Sequence, residues 1–217
     1  MGQRLVYGVG INDAGYKVQK KETIGYVGGK RKQGLVWICP FYQVWINMLK
    51  RGYSFEYKTI HPTYENAYVC NEWLLFSNFK TWMEQQDWKG KQLDKDLLVQ
   101  GNKVYSPDVC VFVSNVINKF VLDSAATRGQ YMIGCYWNKQ RSKFMARCNN
   151  PFTKKSDYLG YHDSELEAHK AWLERKRELA YELAATQTDE RIVKALISRY
   201  EDHNTLKVIN RRNRDDN

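Results

Sequence analysis

Asp94, Lys95, Asp96 and Asn118 are the residues of this chain whose types and spacing best suit chemistry on a phosphate. A divalent cation that polarises a phosphoryl group and steadies a leaving oxygen needs hard oxygen ligands. Aspartate carboxylates and asparagine carbonyls supply them. Asp94 ends one short apolar stretch, and Asn118 lies 24 positions later, beyond a second apolar stretch from Val109 to Val113. A strand, a turn, a second strand and a helix would bring two such ligands together. Lys95 stands beside Asp94, a cation suited to holding a phosphate or stabilising transition-state charge. Lysine is protonated near neutral pH, and two flanking carboxylates favour that form further.

The elements that must hold these residues follow from pattern. Gly101-Asn102 and Tyr105-Ser106-Pro107-Asp108 are turn-forming sequences. Upstream, Val44, Trp45, Met48 and Leu49 recur at helical spacing, with Gly52 as the stop. Glu72 to Gln86 predicts a second helix, with Leu75, Phe76, Phe79, Trp82 and Met83 on its apolar side. Trp45, Trp73 and Trp82 therefore read as core. Residues 1 to 38 predict short strands and glycine turns, with a basic cluster at Lys30-Arg31-Lys32 that is either a solvated loop or a phosphate contact.

After a linker at 123–130 the hydrophobic period changes to two. Strands are predicted over 131–137, 143–148 and 156–161, then a helix from the capping box Ser164-x-x-Glu167 to about 184. A last helix is expected over 189–200, and a basic tail after it. Residues 128 to 155 carry seven cations (Arg128, Lys139, Arg141, Lys143, Arg147, Lys154, Lys155) and no Asp or Glu. Tyr136, Trp137 and Phe144 are interleaved with them. A small sheet with such a face suits the major groove of a duplex, where Arg and Lys reach guanine acceptors and phosphates.

Composition agrees. The chain has 217 residues, 34 Lys plus Arg against 24 Asp plus Glu, and a net charge of +10. That surplus favours a polyanion, because neutralising phosphates releases counterions. The five cysteines form no Cys-x-x-Cys pair, which argues against a zinc knuckle and a disulfide framework. With no apolar leader or membrane-spanning run in the sequence, a reduced cytoplasm is the expected setting. Nothing in the sequence specifies an oligomeric state.

Two resemblances sharpen this. Leu93-Asp94-Lys95, Gly101-Asn102, Tyr105-Ser106-Pro107 and Cys110-Val111-Phe112 before an Asn-bearing helix resemble phage-encoded HNH, or ββα-metal, endonucleases. Gly8-Val9-Gly10-Ile11-Asn12-Asp13, Cys39-Pro40-Phe41-Tyr42 and Glu72-Trp73-Leu74 look like the same group. The resemblance implies Asp94 and Asn118 as ligands of Mg2+ or Mn2+, Lys95 in the place of the usual base histidine, Asp96 as an accessory carboxylate and Asn102 as a brace for the turn. The base would then fall to metal-bound water or to His61. Gly134-Cys135-Tyr136-Trp137, Lys143-Phe144, Ala146-Arg147 and Leu159-Gly160-Tyr161 resemble the Apetala-type, or ethylene-response-factor, DNA-binding domain. That resemblance implies Arg141, Lys143 and Arg147 as contacts to double-stranded DNA, with Arg128, Trp137 and Lys139 near them. The combined expectation is an α+β chain. It has a nuclease-like module at 1–122, a DNA-binding domain at 128–184 and a helical basic tail at 185–217. Its activity would be metal-dependent DNA cleavage, the homing type included. The alternative is a DNA-binding protein that keeps the fold without the catalysis.

Overall fold

The computed structural model describes residues 5–122 and 130–201. The fold is mixed α+β and divides into two compact units, Met1–Val113 and Ser114–Asn217. Arg128, most of the predicted linker and the basic tail lie outside the described residues.

The first unit is built around indoles. Helix α1 (Pro40–Tyr53) begins with proline at its first turn, where the missing N–H is not needed. Its buried residues Tyr42, Trp45, Met48, Leu49 and Gly52 form one stripe. Trp45 is fully buried and donates its indole N–H to Trp73 O at 2.7 Å. The predicted second helix is interrupted: Asn71–Leu74 is a 3-10 turn, and α3 covers only Phe76–Glu84. The interruption is tied to the chain start, since Ile11 N donates to Leu74 O and Phe76 N to Ile11 O. Between α1 and α3 lies the short α2 (Phe55–Ile60), capped by Ser54.

Strands β1 (Gln19–Val27) and β2 (Lys30–Ile38) form a long antiparallel ribbon. The remaining strands of this unit are short. β3 (Tyr68–Val69) pairs in parallel with β5 (Val104–Tyr105), and β4 (Gln92–Asp94) pairs antiparallel with β6 (Val111–Val113). The stretch expected to be a single hairpin therefore serves two ladders. Its middle, Val104–Tyr105, leaves β4 and β6 to pair with β3, a non-local pairing that no local pattern signals.

In the second unit, α4 (Asn115–Val121) is capped by Ser114, whose hydroxyl accepts from Ile117 N. The three-stranded antiparallel sheet is present as β7 (Cys135–Asn138), β8 (Lys143–Asn149) and β9 (Ser156–His162), in the order β7-β8-β9. β7 starts later than expected. Residues 131–134 form a turn instead, because Gly134 takes φ +84° and a Cβ there would meet Trp172 Cγ at 2.2 Å. Helix α5 (Glu165–Ala184) starts with the predicted capping box and covers one face of the sheet with Ala168 and Trp172. Helix α6 (Glu190–Ser198) packs against α5 with Ile192 and Leu196 buried. Among the described residues no helix is long and apolar enough to cross a membrane.

Candidate nucleic-acid interface

The pairing register assigns each sheet residue to a face, since directly opposed residues share one. Cys135 opposes Ala146 and Trp137 opposes Phe144; these four, with Cys148, face α5. Tyr136 opposes Met145, Asn138 opposes Lys143, and Arg147 opposes Tyr158 on the other face. Met145 opposes Tyr161, so both tyrosines of β9 lie there too, their rings 5.7 Å apart. The open face thus combines Lys143 and Arg147 with Tyr136, Tyr158 and Tyr161.

Arg141 joins that face from the β7–β8 turn. Asn138 Oδ1 accepts from Arg141 N at 3.0 Å, and Asn138 Nδ2 donates to the Tyr161 hydroxyl at 3.3 Å. The turn is held so that the Arg141 guanidinium lies 4.8 Å from the Tyr161 ring. Stacking leaves the guanidinium edge available for planar recognition. Lys143 is partly neutralised by Asp163 at 2.8 Å, which holds that carboxyl below its usual range. Lys139 is exposed in the turn. Trp137 is placed differently from the other predicted contacts: its ring packs on Phe144 at 4.8 Å, on the helix side of the sheet.

The opposite end of the sheet is also cationic. A cavity of about 1080 Å³ opens there, with Lys119, Arg147, Lys154, Lys155 and Lys176 in its lining and no acidic residue among the lining residues. Asn150 shapes the loop at its mouth by accepting from Phe152 N and Thr153 N, while its amide donates to Asp157 at 3.0 Å. Lys176 is buried, donates to Phe120 O at 2.7 Å and lies 3.5 Å from the Phe120 ring centre. Burial pulls its ammonium down to about 8, with Arg199 adding to the fall and Cys148 opposing it.

The nuclease-like residues of the first unit lie in one hydrogen-bonded loop. Asp94 Oδ1 accepts from Asp96 N at 2.8 Å and Leu97 N at 2.6 Å, closing a turn just past β4. Burial pushes the Asp94 carboxyl up, against the pull of those two amides. Lys95 is 4% exposed, and its three ammonium protons meet Asp96 Oδ1, Asp96 Oδ2 and Asn102 O, each at 2.7 Å. Asn102 then clasps the loop: Nδ2 donates to Lys95 O and Val104 O, and Oδ1 accepts from Val104 N. The bracing role expected of Asn102 is explicit. Nearby, burial pushes the Cys110 thiol up to about 12 and drives the Tyr105 phenol up as well.

Asn118 lies half-buried on α4, in the second unit, and Asp94 lies in the first. His61 caps α2, its ring 4.4 Å from that of Tyr57. His169 is buried and donates from Nδ1 to Ile133 O, so it is a packing residue of α5. Among the described residues no group of three or more His, Cys, Asp or Glu is placed to hold a metal ion. One oxygen of Asp94 is taken by two amides, and the Asp96 carboxylate is taken by Lys95. Within this loop the second oxygen of Asp94 has no hydrogen-bond donor among the described residues, and a carboxylate oxygen is the donor type a magnesium ion takes. None of the five cysteines is in a disulfide.

Compared with known proteins, the chain matches no family model, no curated protein and no solved structure.

Proposed function

We propose that this protein binds double-stranded DNA through the open face of the β7-β8-β9 sheet. The observation that carries the reading is the face itself: Arg141 stacked on Tyr161 and Arg147 beside Tyr158, on a sheet whose other side is buried by a helix. Arginine forks read guanine edges and phosphates, and tyrosines supply flat apolar contact. The cationic cavity at the sheet end extends the same field along a phosphate backbone. Fluorescence anisotropy with a mixed-sequence duplex, over a range of salt, tests this. The expected result is salt-sensitive binding that Arg141→Ala with Arg147→Ala weakens about 10- to 100-fold, at roughly 1–3 kcal/mol per lost contact pair. No binding at about 50 mM salt would remove the reading.

Cleavage with Mg2+ or Mn2+ is the second reading, and Asp94 is what favours it. A carboxylate at the end of β4, oriented by two amides through one oxygen, has its other oxygen left for a ligand. Lys95 does not serve that chemistry as a base, because its ammonium is buried in contacts to Asp96 and Asn102. Nicking of supercoiled plasmid under either metal, abolished by Asp94→Ala, supports cleavage. Intact plasmid at saturating protein leaves a DNA-binding protein with a nuclease-like loop.

A further inference from the structure

The β1–β2 ribbon is the part of the first unit that its core does not explain. Its base is anchored, since Cys39 N donates to Val18 O and both residues are buried. Beyond that base the two strands pack on each other, and no other described element packs substantially against either. Among the described residues neither outer edge is paired with a further strand. Ile24, Tyr26, Val27 and Trp37 are all exposed, Tyr26 by 67%. A two-stranded ribbon of this kind is marginal in water unless something covers it.

The local design is nonetheless definite. Gly28 and Gly29 take φ +55° and +75°, the conformation a two-residue hairpin turn needs to match strand twist. Register shifts leave Ile24 and Val36 as extra residues, and such bulges tighten the twist. The tip places Tyr26 opposite Arg31 and Val27 opposite Lys30. Residues 19 to 38 carry five cations and a single carboxylate, Glu22, which pairs with Lys20 at 2.6 Å. The tip cluster Lys30, Arg31 and Lys32 is left without a nearby acid on its own ribbon.

We propose that this ribbon is a second duplex-DNA contact, with Lys30, Arg31 and Lys32 on phosphates and Tyr26 against the groove wall. The inference rests on the DNA reading above and adds a separate element to it. A two-stranded ribbon fits the wide groove of a duplex, which is about 12 Å across. Nine residues per strand reach about 30 Å, enough to project beyond a compact body. Charge selects the occupant. A second copy of this chain would set five cations against five, and like charges across paired strands repel. A phosphate backbone is complementary to the same array.

The test compares full-length protein with Lys30→Ala/Arg31→Ala/Lys32→Ala, and in parallel with Arg141→Ala/Arg147→Ala. The read-out is duplex affinity against salt, with sedimentation velocity on each sample. The tip is solvent-exposed, so the ribbon variant should keep the wild-type circular dichroism. If the ribbon touches DNA, its variant binds about tenfold more weakly, and the salt slope falls by about 2 to 3, near 0.9 per lost phosphate contact. An unchanged affinity and slope, while the sheet variant weakens, overturns the ribbon and leaves the sheet reading standing. The reverse pattern retains the ribbon and removes the sheet. A ribbon variant that alters only the sedimentation coefficient identifies self-association and overturns the proposal. Wild-type protein that binds no duplex overturns both.

Discussion

Each unit buries a lysine, and the two are handled in opposite ways. Lys95 is buried together with a countercharge: all three of its protons meet acceptors, two of them on Asp96. Lys176 is buried on a carbonyl and an aromatic face, and among the described residues no carboxylate pairs with it. Lys95 and Asp96, with one oxygen of Asp94, therefore hold the 93–104 loop together. In the second unit cations accumulate, inside at Lys176 and outside at Arg141, Arg147, Lys154 and Lys155. The contrast explains why one cationic region reads as scaffold and the other as a surface for a polyanion. Sequence spacing treats the two alike; partner geometry separates them.

The largest effect is expected at Lys95. Lys95→Met removes three charge-assisted hydrogen bonds and leaves Asn102 O without its donor, lowering the stability of the first unit by about 3 kcal/mol. Urea unfolding should show the loss, while duplex affinity stays within twofold of wild type. A variant of wild-type stability that binds DNA poorly would mean that Lys95 works at the ligand and would break the comparison.

Lys176 sets the next effect, and its sign follows from linkage. The unfolded chain keeps this proton up to about the ordinary value of 10.5, whereas the folded chain gives it up near 8. Between those values the unfolded state holds more protons, so stability rises with pH. The contribution is on the order of 2–3 kcal/mol for this buried group. Cys148 acts against it at the top of the window, because burial raises its thiol and the unfolded thiol ionises first. Because Lys176 and Cys148 act on each other, the comparison is made in a Cys148→Ala background, where Lys176→Met isolates the lysine. Stability measured from pH 7 to 10 should rise less steeply in the variant; parallel curves would show that Lys176 titrates normally.

Helices α1, α5 and α6 and the three-stranded sheet were legible because each is written locally. The stripe from Val44 to Leu49, Ser164 with Glu167, and a change of period to two each dictate an element without reference to distant residues, whereas the short α2 carried no such stripe. The interruption of the second helix at Leu75 was not legible, since Ile11 stitches the break from more than 60 positions away. Pairing of Val104–Tyr105 with Tyr68–Val69 was hidden for the same reason. At the site, the residue types of the Asp94–Asn102 loop were readable but their partners were not. Sequence places Lys95 between two aspartates, and only the fold shows that Asp96 takes the ammonium while Asp94 takes amides. The ribbon left a partial signal in Lys30-Arg31-Lys32 beside Gly28-Gly29; its isolation from the core had none.

The smallest effect discriminates most finely within the sheet. Tyr136 and Trp137 are adjacent, aromatic and exposed by 54% and 39%. The Apetala-type resemblance places Trp137, and not Tyr136, beside the DNA contacts. Register gives the opposite answer: Tyr136 opposes Met145 on the open face, while Trp137 opposes Phe144 and leans on it beside α5. Tyr136→Ala should weaken duplex binding by about three- to tenfold, in line with roughly 1 kcal/mol for a lost aromatic contact, with little change in stability. Trp137→Ala should do the reverse, lowering the stability of the second unit by about 1–2 kcal/mol through lost ring packing while affinity holds within twofold. If both substitutions weaken binding equally, DNA meets the sheet at its β7 edge and not across its open face, and the placement of Arg147 at the contact fails with it.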